Sequence, residues 1–225
     1  METCLRVLIL SDKQVGHENQ SIISMLPKNY RFNFDFVFAQ SHNNLPRQNN
    51  IIEIPINFSF IKPKQIYKPQ KKLIGIVIGK DSTVFQMKTE TLKKQLDFIK
   101  NHFCDYGTAI TLSPGTIKKN EKLAESYELE YNVIFSKNRA NLIPNFLSIY
   151  KYIFITIDST SMISKAISYY DFFIEVLPID EKKDNKFYKM AQTLENNGFI
   201  HIFDGRISKL NKKINFREYT KKVLF

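Results

Sequence analysis

Short apolar runs that end in polar turns recur along this chain. Residues 5–10 are apolar except for Arg6 and lead into the polar stretch from Ser11 to Gln20. Residues 152–157 do the same ahead of Asp158-Ser159-Thr160-Ser161. Each pattern predicts a buried strand, a turn and a helix start, the place where open α/β sheets hold ligands. A helix is predicted over 17–26, stopped by Pro27, and a strand over 31–39 from the alternation of Phe32, Phe34, Phe36 and Phe38. A short strand follows at 51–56. Residues 57–72 carry Pro63, Pro69 and many lysines, which predicts a linker or irregular crossover.

From Leu73 onward the periods of two and 3.6 residues alternate. Strands are predicted at 73–78, 108–112, 131–135, 152–157 and 172–177. Helices are predicted at 88–103, where Leu92, Leu96, Ile99 and Phe103 share a face, and at 117–127, 160–169 and 184–197. A short helix is also predicted from Asn145 to Tyr150, and Gly198 is placed to end the last of the helices. Strands alternating with helices imply an α/β fold with a parallel sheet and right-handed crossovers. The boundaries predict three parts: an N-terminal lobe and linker over 1–70, a larger lobe over 71–210 and a basic segment over 211–225.

Composition narrows the chemistry. The chain has 225 residues, 43% of them hydrophobic, enough for one large domain or two small ones. Its apolar stretches fall short of the roughly 18 residues of a membrane span, and its start lacks the pattern of a signal peptide. Cys4 and Cys104 offer neither a disulfide framework nor metal spacing, so a reduced, cytoplasmic protein without a metal is expected. The net charge of +11 has clusters at Lys62, Lys64, Lys68, Lys71 and Lys72 and again at Lys209, Lys212, Lys213, Arg217, Lys221 and Lys222. Such clusters suit a solvated surface, an anionic membrane or an anionic ligand. With neither an aromatic RNA-binding signature nor a zinc finger, nucleic acid is not the expected partner.

Three turns could carry chemistry. Gly75 to Asp81 fails the phosphate-loop pattern, because three residues separate the glycines and Asp81 stands at the Ser/Thr position. A glycine after a strand still lets backbone N–H groups approach a phosphate, with Ser82 adding a hydroxyl; an ordinary tight turn explains Gly79 equally well. Asp158, Ser159, Thr160 and Ser161 exceed what one helix cap needs, so capping and anion contact both remain open. His17 and Glu18 could act as a base, although on chemistry alone capping and solvation account for them more readily. No Gly-x-Ser-x-Gly elbow is present, which argues against a serine hydrolase.

Together these segments resemble the elongated-mitochondria, or mitochondrial fission, family. Ser11-Asp12 with Gly16-His17-Glu18-Asn19-Gln20 is similar to its N-terminal signature, with Lys13 where glycine is expected. Ile78-Gly79-Lys80-Asp81-Ser82 resembles its IGGxS turn, and Thr111-Leu112-Ser113-Pro114-Gly115-Thr116 its TTSRRTP segment without the two arginines. Thr156 to Ala166 resembles TxDSxSMxSEA, with Lys165 replacing the glutamate. The resemblance implies two Rossmann-like lobes facing a cleft, as in GT-B glycosyltransferases, with the N-terminal lobe reduced here. It implies a glycosyltransferase-like protein of bacterial envelope glycan synthesis, needing no cofactor. A nucleotide sugar would lie against Gly79, Ser82, Ser113, Asp158, Ser159 and Ser161. His17 or Glu18 would take a proton from a lipid-linked or envelope glycan acceptor, with the protein peripheral at the inner membrane face. The departures at Lys80 and Lys165 suit an alternative, a non-catalytic membrane-associated scaffold or binding protein, and leave open whether the protein turns over substrate.

Overall fold

A computed structural model describes residues 36–40, 49–56, 58, 73–134, 150–168, 172–181 and 186–224. Predicted elements outside these segments, including the first strand and helix, lie beyond the described residues. The chain divides into two compact units, one made of Met1–Phe60 with Ile214–Phe225 and the other of Ile61–Lys213.

In the first unit, strands β1 (Val37–Gln40) and β2 (Ile51–Ile54) pair in parallel, with Val37 opposite Ile51. Parallel neighbours need a crossover of some length, and ten residues separate the two strands. Phe58 joins Phe38 edge-on at 4.9 Å between ring centroids and Phe216 at 4.8 Å. Phe216 opens helix Phe216–Leu224, which the basic sequence there did not reveal as a helix.

The second unit is built on a six-stranded, wholly parallel sheet. Its strands are β3 (Leu73–Ile78), β5 (Gly107–Leu112), β6 (Tyr131–Val133), β7 (Tyr150–Thr156), β8 (Phe173–Leu177) and β10 (His201–Ile202). They lie in the order β6-β5-β3-β7-β8-β10. The chain therefore winds outward from β3 to β6, returns to the other side of β3, and winds outward again. This is the order of the doubly wound Rossmann sheet, whose reversal falls between its first and fourth strands. Here those strands are β3 and β7. All six residues of β3 are buried, as are six of the seven in β7, which is the continuous apolar character expected of strands covered on both faces.

Helices follow the strands: α1 (Thr89–His102), α2 (Lys118–Glu125), α3 (Thr160–Ser168) and α4 (Lys186–Asn196), with the C-terminal helix as α5. α1 buries Leu92, Leu96 and Ile99 at helical spacing. α4 ends as predicted: Gly198 has a φ of 77° and donates its N–H to Glu195 O at 2.8 Å, while Phe199 N–H reaches Leu194 O at 3.0 Å. This paired closure satisfies the last carbonyls, and Leu194 and Phe199 are both buried.

A feature without periodic signal is the two-residue ribbon of β4 (Phe85–Gln86) against β9 (Asp180–Glu181). It ties the chain leaving β3 to the chain leaving β8. Phe85 anchors it and is 1% exposed. Among the described residues, no helix is long and apolar enough to cross a membrane.

Candidate functional site

The carboxyl ends of β3 and β7 flank the crevice where the winding reverses. Parallel pairing sets Val77 beside Ile155, so Gly79 emerges next to Thr156 and Asp158. Gly79 N–H donates to the Thr156 hydroxyl at 2.8 Å, and Lys80 N–H donates to Asp158 Oδ2 at 2.8 Å. Gly79 is needed for this approach, because a Cβ there would overlap the Asp158 carboxylate. The glycine thus serves by lacking a side chain, and two backbone donors of its turn are taken by protein acceptors.

Asp158 is the most perturbed acid of the site. Its Oδ1 is buried and has no hydrogen-bond partner. Burial pushes its carboxyl up to about 6, and the charge of Asp81 adds to the rise. The Thr156 hydroxyl and the N–H groups of Lys80 and Asp158 itself oppose it without cancelling it. A carboxyl of this kind exchanges a proton close to neutral pH.

The neighbouring turn, after β5, is locked to the same edge. Ser113 donates both its N–H (2.8 Å) and its hydroxyl (3.0 Å) to Ile78 O. Pro114 and Gly115, the latter with a φ of 94°, form the corner of a tight turn closed by Thr116 N–H to Ser113 O. The buried Thr116 hydroxyl bridges to Gly79 O at 2.7 Å and to Ser113 O at 3.0 Å. Ser82 accepts N–H bonds from Val84 and Phe85, and Asp81 accepts one from Met87. Both side chains stiffen the passage into β4.

Ser159 caps α3, its carbonyl accepting N–H bonds from Met162 and Ile163. Thr160 and Ser161 follow in the opening turn of α3. No acidic residue lies in that first turn, so the positive helix end is not offset from within α3.

The structure therefore brings Gly79, Ser82, Ser113, Asp158, Ser159 and Ser161 to the carboxyl side of the sheet. His17 and Glu18 lie outside the described residues. Thr156 and Thr116 were not singled out by the sequence reading, yet they hold the site together. Thr156 ends β7 two residues before Asp158, a nearness to the polar turn that could have flagged it. Among the described residues, no cluster of acidic, cysteine or histidine side chains could hold a metal ion.

Comparison with known proteins gives one strong result. No curated protein sequence matches the chain significantly. Among solved structures, peptidyl-cysteine decarboxylase EpiD is similar at 13% identity with a TM-score of 0.42, over 68% of this chain and 99% of that one. The FMN-dependent cysteine decarboxylase TvaF from thioviridamide biosynthesis aligns at 9% identity and 0.38, over 69% and 97%. A dodecameric FMN-dependent UbiX-like decarboxylase from Escherichia coli O157:H7 aligns at 8% and 0.37, over 67% and 94%. At these values none of the three bears on the chemistry of the site. The mitochondrial fission ELM1 family, by contrast, matches residues 4–221, nearly the whole length. The chain belongs to the mitochondrial fission ELM1 family.

Proposed function

We propose that this protein is glycosyltransferase-like and binds a nucleotide-sugar donor at the carboxyl edge of β3, β5 and β7. The observation that carries this reading is the winding reversal between β3 and β7, with the α3 N-terminus opening beside it. The Gly79 and Lys80 amides are engaged by Thr156 and Asp158, so the donor's phosphates fall to the Thr160 and Ser161 end of α3. Fixed dipoles at such an end stabilise charge that builds on a departing diphosphate. Asp158, poised near 6, takes or holds a proton beside them. His17 or Glu18 is assigned the acceptor proton, and the acceptor is a glycan or lipid-linked sugar at an anionic membrane face.

A thermal-shift titration against UDP, GDP, ADP, CMP and their sugar conjugates tests this. A ligand at 100 times its dissociation constant stabilises by about 2.7 kcal/mol. A saturable shift with one base, lost in Ser159→Ala/Ser161→Ala, is the expected outcome; no shift with any of them removes the donor site.

A second reading, a non-catalytic scaffold, is favoured by one observation. The donors of the glycine turn and the Ser113 hydroxyl are already committed to the protein. Liposome co-sedimentation that is unaffected by nucleotide would support it.

A further inference from the structure

After β10 the chain runs on as an irregular strap, residues 203–213, to the end of the second unit. Backbone without a ladder must find its hydrogen bonds elsewhere. Here β8 and the end of α4 supply them. Phe203 N–H reaches Val176 O at 2.9 Å, Ser208 N–H reaches Glu175 Oε1 at 2.8 Å and Lys212 N–H reaches Gly198 O at 3.2 Å. The Lys213 ammonium lies over the Phe172 ring and donates to Phe172 O at 2.8 Å. Glu175 is 0% exposed, and a carboxylate withdrawn from water is costly unless its oxygens are bonded. One oxygen is bonded to the strap and the other to His201. A core acid is thus committed to holding a surface segment in place.

The strap shows a basic strip to the solvent. Arg206, Lys209, Leu210 and Lys212 are exposed, while the residues between them are half-buried. No Asp or Glu lies between Gly205 and Lys213. Leu210 is 38% exposed and is flanked by Lys209 and Lys212. A nucleic acid gains little from that leucine, and no aromatic ring lies between Asp204 and Lys213 to stack on a base. A bilayer uses both kinds of side chain: cations meet its anionic headgroups, and an apolar group leaves water among them. Because the strap is already held, docking orders little new chain.

We propose that the strap is a docking surface for an anionic bilayer, with Arg206, Lys209 and Lys212 meeting lipid phosphates and Leu210 entering the headgroup layer. The assignment rests on the proposed function only for the presence of an anionic membrane, and on none of its donor-site residues.

Co-sedimentation of the full chain with vesicles tests it, using phosphatidylcholine alone and equal parts phosphatidylcholine and phosphatidylglycerol. Wild type is expected to bind only the anionic vesicles. Arg206→Gln/Lys209→Gln/Lys212→Gln should bind them roughly a hundredfold more weakly, about fivefold for each charge. Lys94→Gln/Lys118→Gln/Lys122→Gln removes the same charge from exposed positions on α1 and α2, and should change binding by less than about threefold. Leu210→Gln keeps every charge and should still weaken binding severalfold. If the triple strap variant melts lower than wild type, Arg206→Gln and Lys209→Gln singly decide, each about fivefold weaker. Strap variants that bind like wild type, or a control that loses as much as they do, overturn the surface and leave the membrane reading. No binding of anionic vesicles by wild type removes both. Strap-dependent binding of single-stranded RNA in place of vesicles overturns the lipid assignment. Nucleotide-induced thermal shifts are measured without vesicles, so the donor site stands or falls separately.

Discussion

Replacing Asp158 by Asn tests whether burial of that carboxyl governs the site. Its pKa moves from an ordinary 3.8 to about 6 on folding. The folded state therefore holds the proton more tightly than the unfolded chain. The stability this contributes is fully present below pH 3.8 and is lost as pH rises through about 6. The whole effect is about 3 kcal/mol, of which about 1.4 kcal/mol is lost between pH 5 and pH 8. Asn keeps an oxygen for Lys80 N–H but does not titrate, and its own cost is the same at every pH. Urea denaturation of both proteins at pH 5 and pH 8 isolates the group, because other titrations cancel in the difference. Wild type should lose about 1.4 kcal/mol more than the variant, on the order of 3–5 °C in melting temperature for a chain of this size. Parallel pH profiles would show that Asp158 is ionised and solvated in the folded protein, and would remove its proton-handling role.

Two further perturbations probe the packing behind the site. Gly79→Ala forces a methyl into the Asp158 carboxylate and should cost about 1–3 kcal/mol; the cost should shrink by more than 0.5 kcal/mol when Asp158 is also Ala, and simple additivity in a double-mutant cycle would contradict the close approach. His201→Ala should cost about 3 kcal/mol in chemical denaturation, because His201 Nδ1 lies 2.6 Å from Glu175 Oε2 and Glu175 is 0% exposed. Burial pushes the Glu175 carboxyl up while His201 and Ser208 N–H pull it down. The Glu175→Leu/His201→Leu pair should recover most of the loss; a double variant as weak as the single one would show that the pair itself stabilises.

The doubly wound unit was legible because its central strands β3 and β7 are almost wholly buried and its helices bury one face. The predicted strand over 73–78 matches β3, and the predicted helix over 160–169 matches α3 to within a residue. Burial on both faces writes a continuous apolar run, and burial on one face writes a 3.6-residue period. The β4–β9 ribbon and β10 are two residues long, too short for any period. Helix α5 was hidden because Arg217, Lys221 and Lys222 read as a charge run. In the site, the turn after β7 was visible as surplus hydroxyls and the turn after β3 as a glycine following a strand. Their division of labour was not, since whether Ser113 faces a ligand or Ile78 O depends on strand register, which the sequence alone does not state.

The division of the chain has a consequence for synthesis. The second unit is one continuous stretch, Ile61–Lys213, while the first needs both Met1–Phe60 and Ile214–Phe225. As the chain leaves the ribosome, the doubly wound unit is complete before helix α5 is made. The first unit waits until Ile214–Phe225 emerge, holding strands β1 and β2 without helix α5. A stop codon near position 213 would therefore leave the residues around Gly79 and Asp158 in place and take helix α5 from the unit that holds His17 and Glu18.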